Sequence, residues 1–172
     1  CNITIVALGA LLHDIADSKF HGGDETIGPK LAWEFLESQN VPEETIIHVV
    51  NIIENISFKG GNFERKFSST ELDVVQDADR LDAIGAIGIA RAFNYGGFKN
   101  RALYDPTLAP NMNMSKEEYK SAVSPTINHF YEKLLLLKDR MNTKSGKAIA
   151  EERHTYMEKF LEQFFAECEG KR

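Results

Sequence analysis

Apolar residues recur along this chain at three- and four-residue intervals, and no stretch alternates convincingly, so the pattern predicts helices and no strand. The dense run Ile3 to Leu12 predicts a buried first helix that continues to Ile15. The glycines and cap-type aspartate of "HGGD" open a loop after it. A second helix is expected over 25–38, with Pro29 tolerated near its first turn, and a third from Pro42 to Asn55, opened by Glu43 and Glu44. Beyond the loop at Gly60-Gly61, Ser68 and Glu71 have capping-box spacing at the head of one long helix that ends at Gly96-Gly97. Residues 98–114 read as a loop, and Ser115 with Glu118 repeats the capping spacing. Pro125 starts a helix to Met141, and Thr143 a last amphipathic helix to Cys168. The expected fold class is all-α, a single domain over residues 1–172 with six or seven helices in one irregular bundle.

Composition changes this picture little. At 172 residues, with 42% hydrophobic and 27% charged residues, the chain can bury a core of its own. No apolar run reaches the ~18–20 residues of a membrane span, and the N-terminal run lacks a basic leader. Two cysteines, Cys1 and Cys168, form no disulfide framework and suit a reducing cytoplasm. A net charge of −6 argues against non-specific nucleic-acid binding and leaves phosphate recognition to local cations or a metal.

Two stretches carry candidate chemistry. In "ALLHDIAD", His13 and Asp14 follow an apolar run. In "DADRLD", Asp79 and Asp82 fall on the helical stripe Val75, Asp79, Asp82, Ala86, Ile89, among small and apolar residues. An ionised carboxylate on such a face costs several kcal/mol unless a cation compensates it. The plain alternative is an ion pair with Arg80 or a bridge between helices. One imidazole with two carboxylates suits a divalent cation of borderline or hard character: Mn²⁺, Fe²⁺, Co²⁺, Ni²⁺, Zn²⁺ or Mg²⁺.

"LLHDIAD" followed far downstream by "DADRLDAIGAIGIARAF", then by "YGG" and "INHFYEKL", resembles the HD-domain superfamily of metal-dependent phosphohydrolases. The likeness is greatest to the YedJ/YpgQ-type bacterial subgroup and runs over nearly the whole chain. It implies a metal site of the form H…HD…D, with His13, Asp14 and Asp79 as ligands and Asp77 as the less favoured register. The first histidine of that motif is missing from residues 1–12. Because the chain begins at Cys1 already in a helical pattern, the expectation is that a preceding helix carries it; loss of that ligand is the alternative.

The resemblance further implies a nucleotide or another small phosphate ester as partner, cleaved by water that the metal activates. Asp17, one turn beyond His13, is the candidate general base, with Asp82 the alternative. Phosphate needs cations, and the candidates are Lys19, Lys59, Arg80, His129 and Lys133, of which His129 and Lys133 share a helix face at i, i+4. Tyr95 reads as a core ring or a base-stacking ring. Tyr156, Phe160, Phe164 and Phe165 read as helix core or a contact between copies in a homo-oligomer. The expected reaction converts a nucleoside or deoxynucleoside triphosphate to monophosphate and pyrophosphate. Phosphomonoester hydrolysis and alarmone hydrolysis are the alternatives within the enzyme class, and a non-catalytic nucleotide-binding domain is the alternative outside it.

Overall fold

The computed structural model describes residues 1–16, 21–56, 66–112 and 124–171. Its helices are α1 (Ile3–Leu12), α2 (Ile27–Ser38), α3 (Glu43–Ile56), α4 (Thr70–Asp82), α5 (Gly85–Phe98) and α6 (Thr126–Glu132). A 3-10 helix (Leu134–Arg140) and α7 (Lys144–Cys168) follow. The all-α expectation holds: no strand occurs among the described residues. Nor, among them, is any helix long and apolar enough to cross a membrane. The chain divides into two compact units, Cys1–Gln76 and Asp77–Arg172, with the boundary inside α4.

The first unit is built on aliphatic packing. Ile46, Val49, Ile52, Ile53 and Ile56 recur along α3 at helical spacing and are buried. They meet Ile5 and Leu12 of α1, Ala32 and Leu36 of α2, and Leu72 and Val75 of α4 in one cluster. Asn2 caps α1 by accepting from the Thr4 and Ile5 amides at 3.0 and 3.4 Å. The expected cap of α4 moves by one residue: Ser69 Oγ accepts from the Leu72 amide at 3.0 Å. Glu71 instead accepts from the Asn2 amide at 2.7 Å, and that hydrogen bond holds its carboxyl below the usual carboxylate range.

Two expectations fail in this unit. α1 stops at Leu12, and turns occupy residues 13–16. The helix is apolar on nearly all sides yet buries only the face of Ile5, Gly9 and Leu12, with Ile3 81% and Leu11 79% exposed.

The second unit departs further from the sequence expectation. The single long helix predicted to run to Gly96 is two helices. Ile84 is extended (φ −126°, ψ 169°) and Gly85 takes φ +74°. A side chain at residue 85 would be strained there, and its Cβ would stand only 3.0 Å from Arg153 Cγ. The break separates Ala86 and Ile89 from the stripe of Val75, Asp79 and Asp82. The helix expected from Pro125 to Met141 also divides, at Lys133 (φ −142°, ψ −58°), where α6 gives way to the 3-10 helix. Ile127, Phe130, Leu134, Leu137, Met157 and Leu161 are buried. Phe93, Phe130, Phe160 and Phe164 form a ring cluster with centroids 5.9–6.4 Å apart. The core reading of Phe160 and Phe164 therefore stands. Tyr156 lies exposed. The loop glycines Gly60-Gly61 and the Ser115–Glu118 spacing lie outside the described residues.

Candidate functional site

In the first unit the His13-Asp14 pair sits where α1 ends. The His13 amide donates to the Gly9 carbonyl at 3.0 Å and closes the last turn. Its Nδ1 lies 2.8 Å from the Ala10 carbonyl oxygen. A carbonyl only accepts, so Nδ1 carries a proton. Nε2 lies 3.3 Å from Asp14 Oδ2. Ligand atoms about 2.1 Å from one divalent ion, at right angles to each other, stand about 3 Å apart. A backbone carbonyl on the other ring nitrogen is also the usual support of a metal-binding histidine. The His13 side chain is 22% exposed and that of Asp14 72%. His13 and Asp14 thus fit a divalent cation in donor type and spacing. Asp17, Lys19 and Lys59 lie outside the described residues.

In the second unit the two aspartates of "DADRLD" have separate environments. Asp77 is buried and receives four hydrogen bonds. Its Oδ1 accepts from the Asn142 amide (2.8 Å) and Asn142 Nδ2 (3.0 Å), and its Oδ2 from the Thr143 amide and hydroxyl (both 2.8 Å). Thr143 in turn caps α7, accepting from the Gly146 amide at 2.9 Å. Asp77 is therefore occupied as an anchor for the start of α7. Asp79, two residues on, is half-buried.

The remaining described candidates are placed as follows. Arg80 is largely buried; its guanidinium donates to the Arg140 carbonyl and lies 3.8 Å from Asp77 Oδ1. Asp82 is exposed and pairs with Arg91. His129 and Lys133 are half-buried on α6 and at its end. Burial first, then the charges of Lys133 and Arg101, pull the His129 pKa down to about 4, so its ring is neutral near pH 7.

Within neither unit do the described residues gather three or more His, Cys, Asp and Glu side chains into a metal-binding cluster. Sequence reasoning missed Arg101, which lies in a stretch without periodicity. Of the two readings of Tyr95, the core one fails: the residue is 43% exposed. A cavity of about 480 Å³ in the second unit, lined by Tyr104, Leu108, Met112, Asn128, Tyr131 and Phe165, had no sequence signal either.

No family model matches the chain. The chain is 37% identical over 172 residues to the uncharacterized protein YpgQ of Bacillus subtilis (strain 168), a match that takes in 98% of this chain and 75% of that one. Among solved structures, an HD-superfamily hydrolase from Bacillus thuringiensis superposes with a TM-score of 0.74 at 46% identity, over 99% of this chain and 76% of that one. Bacillus subtilis YpgQ in complex with ADP superposes with a TM-score of 0.72 at 35% identity, over 95% and 76%.

Proposed function

The chain belongs to the HD superfamily of metal-dependent phosphohydrolases, and from that premise we propose that it cleaves nucleoside or deoxynucleoside triphosphates to the monophosphate and pyrophosphate. The observation that carries the metal half of this reading is the His13-Asp14 pair, with Nδ1 anchored on a carbonyl and Nε2 3.3 Å from Asp14 Oδ2. The nucleotide half is supported by the ADP complex of YpgQ.

In this reading His13, Asp14 and Asp79 hold the divalent ion. When bound, the ion supplies a Lewis acid for phosphoryl oxygens and makes water acidic enough to deprotonate near neutral pH. Asp17 takes the proton of the attacking water, with Asp82 as the second candidate. The water oxygen bonds to the α-phosphorus, the bond from that phosphorus to the bridging oxygen breaks, and the leaving oxygen departs with pyrophosphate. Lys19, Lys59, His129 and Lys133 meet the phosphate charge, and Arg80 steadies the α4 segment that carries Asp79. We read residues 1–172 as a single HD-type helical domain and place the protein in the cytoplasm.

The test is a nucleotide panel run with Mn²⁺, Mg²⁺, Ni²⁺, Co²⁺, Fe²⁺ and Zn²⁺ and with the products identified. Pyrophosphate and monophosphate are expected; orthophosphate would replace this reading with phosphomonoester hydrolysis. Asp79→Ala should abolish turnover and stoichiometric metal while leaving the helical spectrum intact. Normal turnover in that variant would overturn the ligand assignment.

A further inference from the structure

In the second unit, the chain that follows α5 is tied to α6 at four points. The Thr126 amide donates to the Ala102 carbonyl at 2.9 Å, and the Ile127 amide to the Leu103 carbonyl at 3.0 Å. Further on, Asn128 Nδ2 donates to the Leu108 carbonyl at 3.0 Å, and the Asn111 amide to Glu132 Oε1 at 3.2 Å. Residues of both tied stretches line the cavity of about 480 Å³, a volume within the ~300–1,000 Å³ of small-molecule sites. Its wall is aromatic. Tyr104, Tyr131 and Phe165 line it, and the Tyr104 ring meets that of Phe165 edge-on with centroids 5.3 Å apart. Among the described residues, no lysine, arginine or histidine lines it.

Two side chains of the lining have acceptors to spare. Asn128 is only 3% exposed. The Leu108 carbonyl can only accept, so it fixes which end of the Asn128 amide is Nδ2. The other end, Oδ1, takes no donor among the described residues and is not sealed from solvent. A buried carbonyl oxygen in that position calls for a donor. Asp105 accepts the Thr107 hydroxyl at 2.7 Å and the Thr107 amide at 2.8 Å, both on Oδ1, and its Oδ2 takes no donor among the described residues. Those bonds, the hydroxyl's first, hold the Asp105 carboxyl below the usual carboxylate range, so the lining is negative at neutral pH.

An aromatic wall suits a planar ring. Acceptors on Asn128 and Asp105 suit a ring edge that donates, and the Asp105 charge, with no cation in the lining to offset it, turns phosphate away. We propose that this cavity takes an amino-bearing nucleobase (adenine, cytosine or guanine), with Asn128 Oδ1 accepting from the base and the phosphates left outside. Uracil and thymine suit it less, because carbonyls flank the one ring N–H they keep in a nucleotide and would face the two acceptors. This deepens the nucleotide reading by naming the base, and it rests on that reading only for the choice of a base over another planar amine.

The test is a titration of the full chain with adenosine, cytidine, guanosine and uridine, followed by calorimetry and by NMR of the Met112 methyl group, which belongs to the lining. These nucleosides carry no phosphate, so their binding reports on the cavity alone. At least one amino-bearing nucleoside should bind about tenfold more tightly than uridine or better, and its ring current should shift the Met112 signal. Asn128→Leu, which removes the acceptor, should weaken binding about tenfold. Ala109→Trp, which fills the cavity from an exposed position and spares every hydrogen bond described above, should do the same. Uridine bound as tightly as the others, tetramethylammonium bound in place of any nucleoside, or wild-type affinity in folded Ala109→Trp would overturn the site. A raised KM for the triphosphate of the preferred base in Ala109→Trp, with kcat kept, would make the substrate the source of the base. Unchanged KM with nucleoside binding lost would make the source a separate nucleoside or nucleotide. Nucleoside binding without turnover of any nucleotide would sink the phosphohydrolase reading and leave the cavity standing, and turnover without nucleoside binding would do the reverse.

Discussion

Gln76 and Asp77 are neighbours on α4, yet each serves a different unit and a different end of a helix. In the first unit, Gln76 Nε2 donates to the carbonyls of Asn55 and Ile56, at 3.3 and 3.0 Å, at the C-terminus of α3. In the second, the Asp77 carboxylate accepts two amides, a hydroxyl and a side-chain amide at the start of α7. Each group suits the end it meets: helix C-termini present carbonyls that need a donor, and N-termini present amides and partial positive charge that favour an acceptor with negative charge. The units differ in what surrounds these contacts. Around Gln76 the first unit is an aliphatic cluster that would hold its helices without the cap. In the second, the start of α7 has Asp77 as its anchor, and the nearby Arg80 and Arg153 also spend their guanidinium groups on backbone carbonyls, of Arg140 and Leu81. One buried polar side chain therefore supplements the first unit, and another organises the second.

The largest effect expected from breaking this comparison is at Asp77. Hydrogen bonds to a charged group contribute ~1.5–3 kcal/mol each and are not additive, so Asp77→Ala should cost about 4 kcal/mol and loosen the start of α7. Chemical denaturation gives the first quantity and amide exchange at Asn142, Thr143 and Gly146 the second. Wild-type stability would show that the carboxylate is dispensable.

His129 gives the next effect. Its pKa is about 4 in the folded chain, against an ordinary value of 6.5. Between those values the unfolded chain binds more protons than the folded one, so stability rises with pH. The contribution is complete above the ordinary value and is lost as pH falls towards the folded one. It amounts to at most about 3 kcal/mol. His129→Asn should flatten that slope in denaturation curves recorded from pH 4 to 7; an unchanged slope would assign it to other groups.

The smallest effect should be Gln76→Met, at about 1 kcal/mol, since a neutral hydrogen bond nets ~0.5–1.5 kcal/mol and the aliphatic cluster stays in place. A loss as large as that of Asp77→Ala would erase the contrast between the units.

Much of the fold is legible in the chain because apolar periodicity states which face of a helix is buried. The α3 set Ile46, Val49, Ile52, Ile53 and Ile56 is a plain instance, as is the start of α7 after Thr143. The break between α4 and α5 was not legible, because "AIGAIGIA" is compatible with continuous helix and the left-handed turn at Gly85 is imposed where the Arg153 side chain packs on it. The exposed face of α1 was hidden for the opposite reason: an all-apolar helix carries no polar stripe to mark its open side.

The candidate site divides in the same way. His13 and Asp14 stood out because titratable residues ended an apolar run, and no tertiary information was needed to see them. Asp77 and Asp79 have the same chemistry and nearly the same position, and nothing local separates them. Arg101 could not be singled out either, since the bonds that bring it beside α6 join stretches more than twenty residues apart.

The order of residues by itself determined the helical class, the aliphatic faces of the first unit and the His-Asp pair, because these depend on spacing along one helix. Only the tertiary structure decided which aspartate anchors α7, where the long helix breaks, which imidazole nitrogen of His13 meets the Ala10 carbonyl, and which cations act on His129. Those outcomes depend on which carbonyls, amides and charges come together through space, and spacing along the chain does not encode that.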